Sequence, residues 1–175
     1  KCITCIPSQN WRGVFLRSKL IIWLSPLHRE SWLFSFSELE NHHYALVPSP
    51  VLVDKFYDLK LERRGALAVH ATEAFKGREN FIAWAEEHRD IPITLVGSAD
   101  SSLPPNVKAV GGVSPSDMNG LYNQHKMFLH LPQTPQPFER TAAEALLAGC
   151  KIVANPLVGA LSWDFFHKGR DAVVE

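Results

Sequence analysis

From Gly65 onward, short apolar runs alternate with stretches of helical period. The runs occupy 66–70, 93–97, 107–110, 127–131, 151–154 and 172–174, each bounded by Gly, Pro or polar residues. Strands covered on both faces of a parallel sheet have this continuous apolar pattern rather than an alternating one. Between them, 77–89 sets Phe81, Ala85 and His88 along one helical face. The stretch 116–124 opens on a Ser-Asp start signal, and 138–148 closes at Gly149. Repeated strand-helix-strand units require right-handed crossovers, so the pattern predicts an α/β, doubly wound parallel sheet. Ligands of such sheets bind at the carboxyl ends of the strands.

The first 58 residues read differently. Trp11, Phe15, Trp23, Trp32, Phe34 and Phe36 crowd them with aromatics, and Lys1, Arg12, Arg17, Lys19 and Arg29 outnumber the single acid, Glu30, up to that point. No helical stripe separates the aromatics from the charges, so they read as packing at the end of a neighbouring domain, with at most peripheral membrane contact. The stretch 44–53 carries Pro48 and Pro50 and reads as an extended, stiff linker. The predicted organisation is 1–58 as the tail of one lobe plus a linker, and 59–175 as a ligand-binding domain. Lys1 is not methionine and opens no signal-peptide pattern, and the chain reads as an excised piece.

Composition narrows the function. The chain of 175 residues is 46% hydrophobic and 21% charged, which is globular. Lys plus Arg equals Asp plus Glu at 18 each, so no bulk field draws in nucleic acid or an anionic membrane. The apolar run at 20–24 is far shorter than the roughly 20 residues of a spanning helix, and a cytoplasmic protein is expected. Of the three cysteines, Cys2 and Cys5 lack a second Cys or His pair at zinc spacing and read as unpaired thiols. The eight histidines lack HxxxH or HxH spacing, and neither a metal nor a cofactor is expected.

The richest chemistry lies in 131–149, where a strand enters the loop 132–137 (PQTPQP) and then a helix near Phe138. The free amides of Phe138, Glu139, Arg140 and Thr141 at such a helix start favour an anion, through unpaired N–H groups and the positive dipole end. Glu144, two turns in and flanked by Ala142, Ala143, Ala145, Leu146, Leu147 and Ala148, sits on a helix that must be largely buried. A carboxylate so placed needs a partner and suits a vicinal diol.

The stretch 136–150 (QPFERTAAEALLAGC), followed by 151–155 (KIVAN), resembles the signature of glycosyltransferase family 4: an acid, seven residues, a second Glu, a small-residue helix ending in Gly, and an apolar strand. Phe75-Lys76-Gly77, 107–111 with 114–122, and 158–162 are similar to the same family in the same order, so that the resemblance covers about 44–175. It implies two Rossmann-like lobes about a cleft, the C-terminal one holding a nucleotide diphosphate sugar, UDP- or GDP-linked. By position, Glu144 would bind the ribose diol, Gln136 would face the sugar, and Lys76, with His70, would neutralise the diphosphate. Pro137 and the amides from Phe138 to Thr141 would line the phosphate site. Backbone near 110–113, including Gly111 and Gly112, would meet the base. The implied reaction is transfer of a hexose, with retention and without a metal, to a saccharide, lipid or protein acceptor.

Two departures keep other readings open. Gln136 stands where the first Glu is expected, and an amide cannot stabilise positive charge at the anomeric carbon as a carboxylate does. His70-Ala71 stands where an arginine is expected, with Arg140 a candidate to compensate. A degenerate nucleotide-sugar-binding or interaction domain, and a nucleotide-sugar epimerase on the same architecture, are the alternatives. Glu139 occupies a position where a small residue is usual, and is expected to point away from the phosphates it would repel.

Overall fold

The computed structural model describes residues 8–98 and 102–174; Cys2 and Cys5 lie outside the described residues. Its main sheet contains β3 (Ala66–Val69), β4 (Ile93–Val96), β5 (Val107–Gly111), β6 (Met127–His130) and β7 (Lys151–Ala154). They run parallel in the order β5-β4-β3-β6-β7. The chain therefore builds outward from β3 to one edge, returns to pair β6 with the other side of β3, and finishes at β7. This is the doubly wound order, and its direction switches between β3 and β6.

Side-chain alternation explains the two layers. In β3, Leu67 faces one side while Ala66 and Ala68 face the other. Leu67 joins Phe128, Tyr122 and the alanines of α5 (Arg140–Leu147), with α4 (Met118–Gln124) on the same side. Ala66 and Ala68 join Leu95, Leu129, Phe81 and Ala85, the last two from α3 (Arg78–Glu87). The small Ala142, Ala143 and Ala145 are fully buried and let α5 approach the sheet closely.

The apolar run at 172–174 is helical rather than a strand. It belongs to α7 (Arg170–Val174), which follows α6 (Asp164–His167) and packs Val173 against the α5 side of the core. Three consecutive apolar residues fit either period, and Arg170 adds a bond from its Nε to the Leu147 carbonyl at the end of α5.

The N-terminal segment has its own small core. After α1 (Ser8–Arg17), β1 (Ile21–Trp23) and β2 (Tyr44–Leu46) pair in parallel, joined through α2 (Pro26–Leu33). Ile21, Trp23, Phe36 and Leu39 are buried together, with Phe15 and Trp32 against them; the Phe15 and Trp32 rings meet edge-on at 4.7 Å. The first part of the expected linker is thus strand β2. Beyond the expected linker, the chain is strapped along α4: the Tyr57 amide donates to Asn119 and the Leu59 amide to Asn123. Among the described residues, no helix is long and apolar enough to cross a membrane.

Candidate binding site at the sheet switch point

The switch between β3 and β6 opens a cleft at their carboxyl ends. After β6 the chain turns through Leu131 and Pro132 into a loop that reaches α5, and neighbouring elements hold its carbonyls. Asn80 donates to the Leu131 carbonyl and Asn155 to that of Pro132. The amides of Gly159 and Ala160 donate to the Gln136 and Phe138 carbonyls at 3.0 and 2.7 Å. Gly77, at φ +91, presses its Cα against this loop, where an added Cβ would meet the Leu131 oxygen at 1.8 Å. A loop pinned at this many backbone groups presents a preformed wall.

Behind that wall is a cavity of about 350 Å³ lined by Leu24, Ser49, Lys76, Gln136, Pro137, Phe138, Glu139, Arg140, Thr141 and Glu144. The structure brings most of the candidate residues to one place. It leaves others elsewhere: His70, Gly111 and Gly112 are not among the lining residues. His70 is solvent-exposed at φ +52, with its Nδ1 3.3 Å from Glu73. Gly111 ends the edge strand β5, where its carbonyl accepts from the Gly97 amide, and Gly112 follows it, exposed.

Glu144 sits in the second turn of α5, half-buried. The Tyr122 hydroxyl donates to its Oε2 at 3.0 Å and fixes its orientation. Burial pushes the Glu144 carboxyl up and outweighs the Tyr122 hydrogen bond and the nearby Arg140 charge, which pull it down. Gln136 is buried, its Nε2 donating to the Thr134 carbonyl at 3.0 Å.

Glu139 does not point away. Helix α5 begins at Arg140, two residues later than the sequence pattern suggests, and Glu139 precedes it at φ +75. That left-handed backbone turns the side chain inward, where its Oε2 lies 2.5 Å from Lys76 Nζ and 3.2 Å from His130 Nε2. Its Oε1 accepts from the Thr141 hydroxyl. Lys76 in this position offsets the charge with which the carboxylate would repel a phosphate. Burial pushes the Glu139 carboxyl up, but His130 and Lys76 outweigh it and hold it well below the usual carboxylate range.

Sequence reasoning did not identify His130, Tyr122, Leu24 or Ser49 as part of this site. His130 ends β6 and is 1% exposed, and its Nδ1 has no hydrogen-bond partner among the described residues. A polar residue closing an apolar strand was the available signal. Leu24 and Ser49 come from the N-terminal segment and left no motif.

Residues 76–175 match the family model described as "Glycosyl transferase-like". No curated protein sequence matches the chain significantly. Among solved structures, the chain is similar to sucrose-phosphate synthase from Thermosynechococcus elongatus, with 20% identity, a TM-score of 0.70, and coverage of 87% of this chain and 44% of that one. It is also similar to Anabaena Alr3699/HepE in complex with UDP-glucose (16% identity, TM-score 0.68, 89% and 51% coverage). A glycosyltransferase from Rickettsia africae ESF-5 aligns at 14% identity with a TM-score of 0.66, over 87% of this chain and 48% of that one. The chain spans about half the length of these structures, and at such identities the likeness establishes the fold of two-lobed, Rossmann-like glycosyltransferases.

Proposed function

We propose that this chain, which belongs to the glycosyl transferase-like family, is the donor-binding part of a retaining glycosyltransferase that moves a hexose from a UDP- or GDP-sugar to a saccharide, lipid or protein acceptor. Residues 59–175 form the nucleotide-sugar domain in this reading, and 1–58 the end of the partner lobe and linker. The protein is read as cytoplasmic, with no cofactor beyond the donor.

The observation that carries the reading is the Glu144 carboxylate, oriented by Tyr122 and facing the cavity beside the start of α5. It suits the two hydroxyls of a ribose, as an acceptor-only group with oxygens to spare. The amides at the start of α5 and the Arg140 side chain favour the adjoining phosphates. In the transfer, the bond between the anomeric carbon and the diphosphate oxygen breaks as the acceptor oxygen bonds to that carbon on the same face. The acceptor proton passes to the departing phosphate. Groups fixed in advance around the diphosphate stabilise the charge it gains.

Glu144→Ala should weaken binding of UDP and GDP at least about tenfold by titration calorimetry, as expected for charge-assisted hydrogen bonds of roughly 1.5–3 kcal/mol. Unchanged affinity in a folded variant would sink the assignment. A second reading, a nucleotide-sugar-binding domain without catalysis, is favoured by Gln136, whose amide is tied to Thr134 and brings no charge to the anomeric carbon. Transfer of radiolabelled sugar from the donor by the full-length protein separates the two.

A further inference from the structure

Lys76 is the lysine that lines the cavity, and it is already engaged. Its Nζ contacts the Glu139 carboxylate at 2.5 Å, with side chains only 20% and 8% exposed respectively. Thr141 holds the other carboxylate oxygen, and His130 closes on the same one as Lys76. Glu139 makes this contact from a left-handed backbone, a conformation unfavourable for a residue with a Cβ. Among the described residues lining the cavity, the two cations Lys76 and Arg140 are matched in number by the two acids Glu139 and Glu144, and His130 contacts Glu139 as well. A diphosphate gains over a monophosphate chiefly through the extra negative charge it presents to uncommitted cations.

We propose that Glu139 sets the phosphate selectivity of this pocket: as a built-in counter-anion for Lys76, it removes most of the preference for a nucleoside diphosphate over the corresponding monophosphate. The inference rests on the nucleotide-binding reading of the same cavity. Ribose and base contacts are common to both nucleotides and cancel in the ratio of their affinities, which therefore reports on the phosphate end alone.

The test measures UMP, UDP, GMP and GDP by titration calorimetry on the full chain, with Glu139→Gln, Lys76→Met/Glu139→Gln and Glu139→Gly variants, folding being verified by circular dichroism. The expected diphosphate preference of the unmodified chain is below about fivefold, rising at least about tenfold further in Glu139→Gln, equivalent to about 1.4 kcal/mol. Adding Lys76→Met should abolish the gain. Glu139→Gly, compatible with the left-handed backbone, repeats the measurement if the glutamine variant fails to fold. Measurable nucleotide binding with an unchanged ratio overturns the inference and leaves the nucleotide reading standing. Absence of binding by every protein overturns the nucleotide reading, and the inference with it.

Discussion

At the residue scale, Glu139 decides the character of the site. Lys76 and His130 depress its carboxyl against the effect of burial, so the folded state holds the charged form more readily than the unfolded chain does. A depressed carboxyl contributes stability above its ordinary value of 4.5 and loses it as pH falls through and below that value. The melting temperature of the unmodified chain minus that of Glu139→Gln should therefore shrink steadily as pH is lowered from 6 towards 3. Glu144 titrates in the opposite sense, because burial raises it and its charged form is disfavoured. It is present in both proteins, and only the smallest cause of its rise, the charge of Glu139, differs between them. A gap that widens towards acid would show that the carboxylate is not stabilised by its neighbours. The position of Glu139 was legible in the sequence, but its direction was not. The expectation that it would avoid the phosphates considered one repulsion and did not pair Glu139 with Lys76, sixty-three residues away in sequence.

At the element scale, the helix ends are joined through a residue that no motif marked. The Arg63 guanidinium donates to the Tyr122 and His125 carbonyls at the end of α4, to the Ala148 carbonyl at the end of α5, and to Asp58 and Asn123. Last-turn carbonyls have no partner within their own helix, so one planar five-donor group satisfies several of them together. Arg63→Met keeps most of the side-chain length but leaves these oxygens and Asp58 without the partner. It should cost roughly 2–4 kcal/mol in urea denaturation; a loss under about 0.5 kcal/mol would mean that water replaces the guanidinium. The five strands of the main sheet were legible because buried parallel strands are continuous apolar runs, and α5 because its alanines precede Gly149. The helix at 170–174 was not, since Ala172, Val173 and Val174 carry no period. Strands β1 and β2, three residues each, were hidden among aromatics whose partners lie in α1 and α2.

At the scale of the whole molecule, the N-terminal segment meets the sheet domain both by packing Phe56, Leu24 and Val51 on its core and by bonds aimed at the cavity loop and its surroundings. Ser25, fully buried, accepts from the His28 amide to cap α2 and donates to the Pro137 carbonyl of the cavity loop at 2.6 Å. The Leu27 amide donates to Ser162, and Trp163 Nε1 to the Leu24 carbonyl. Ser25→Ala removes the cap and the bridge together and should lower stability by about 1–2 kcal/mol, read as a shift in the urea midpoint. An unshifted midpoint would mean that the two Ser25 bonds contribute no stability. The sequence indicated a boundary near residue 58, yet Leu24 and Ser49, from before it, help to enclose the cavity.

Gly77 and Leu131 touch so closely that not even a methyl group fits between them. The turn bearing Lys76 and the strand exit leading to Glu139 are thus cast as one jaw, without a seam along which either can slide. The segment carrying Leu24 and Ser49 lies outside this casting and is hung on it at the lip, where Ser25 grips Pro137.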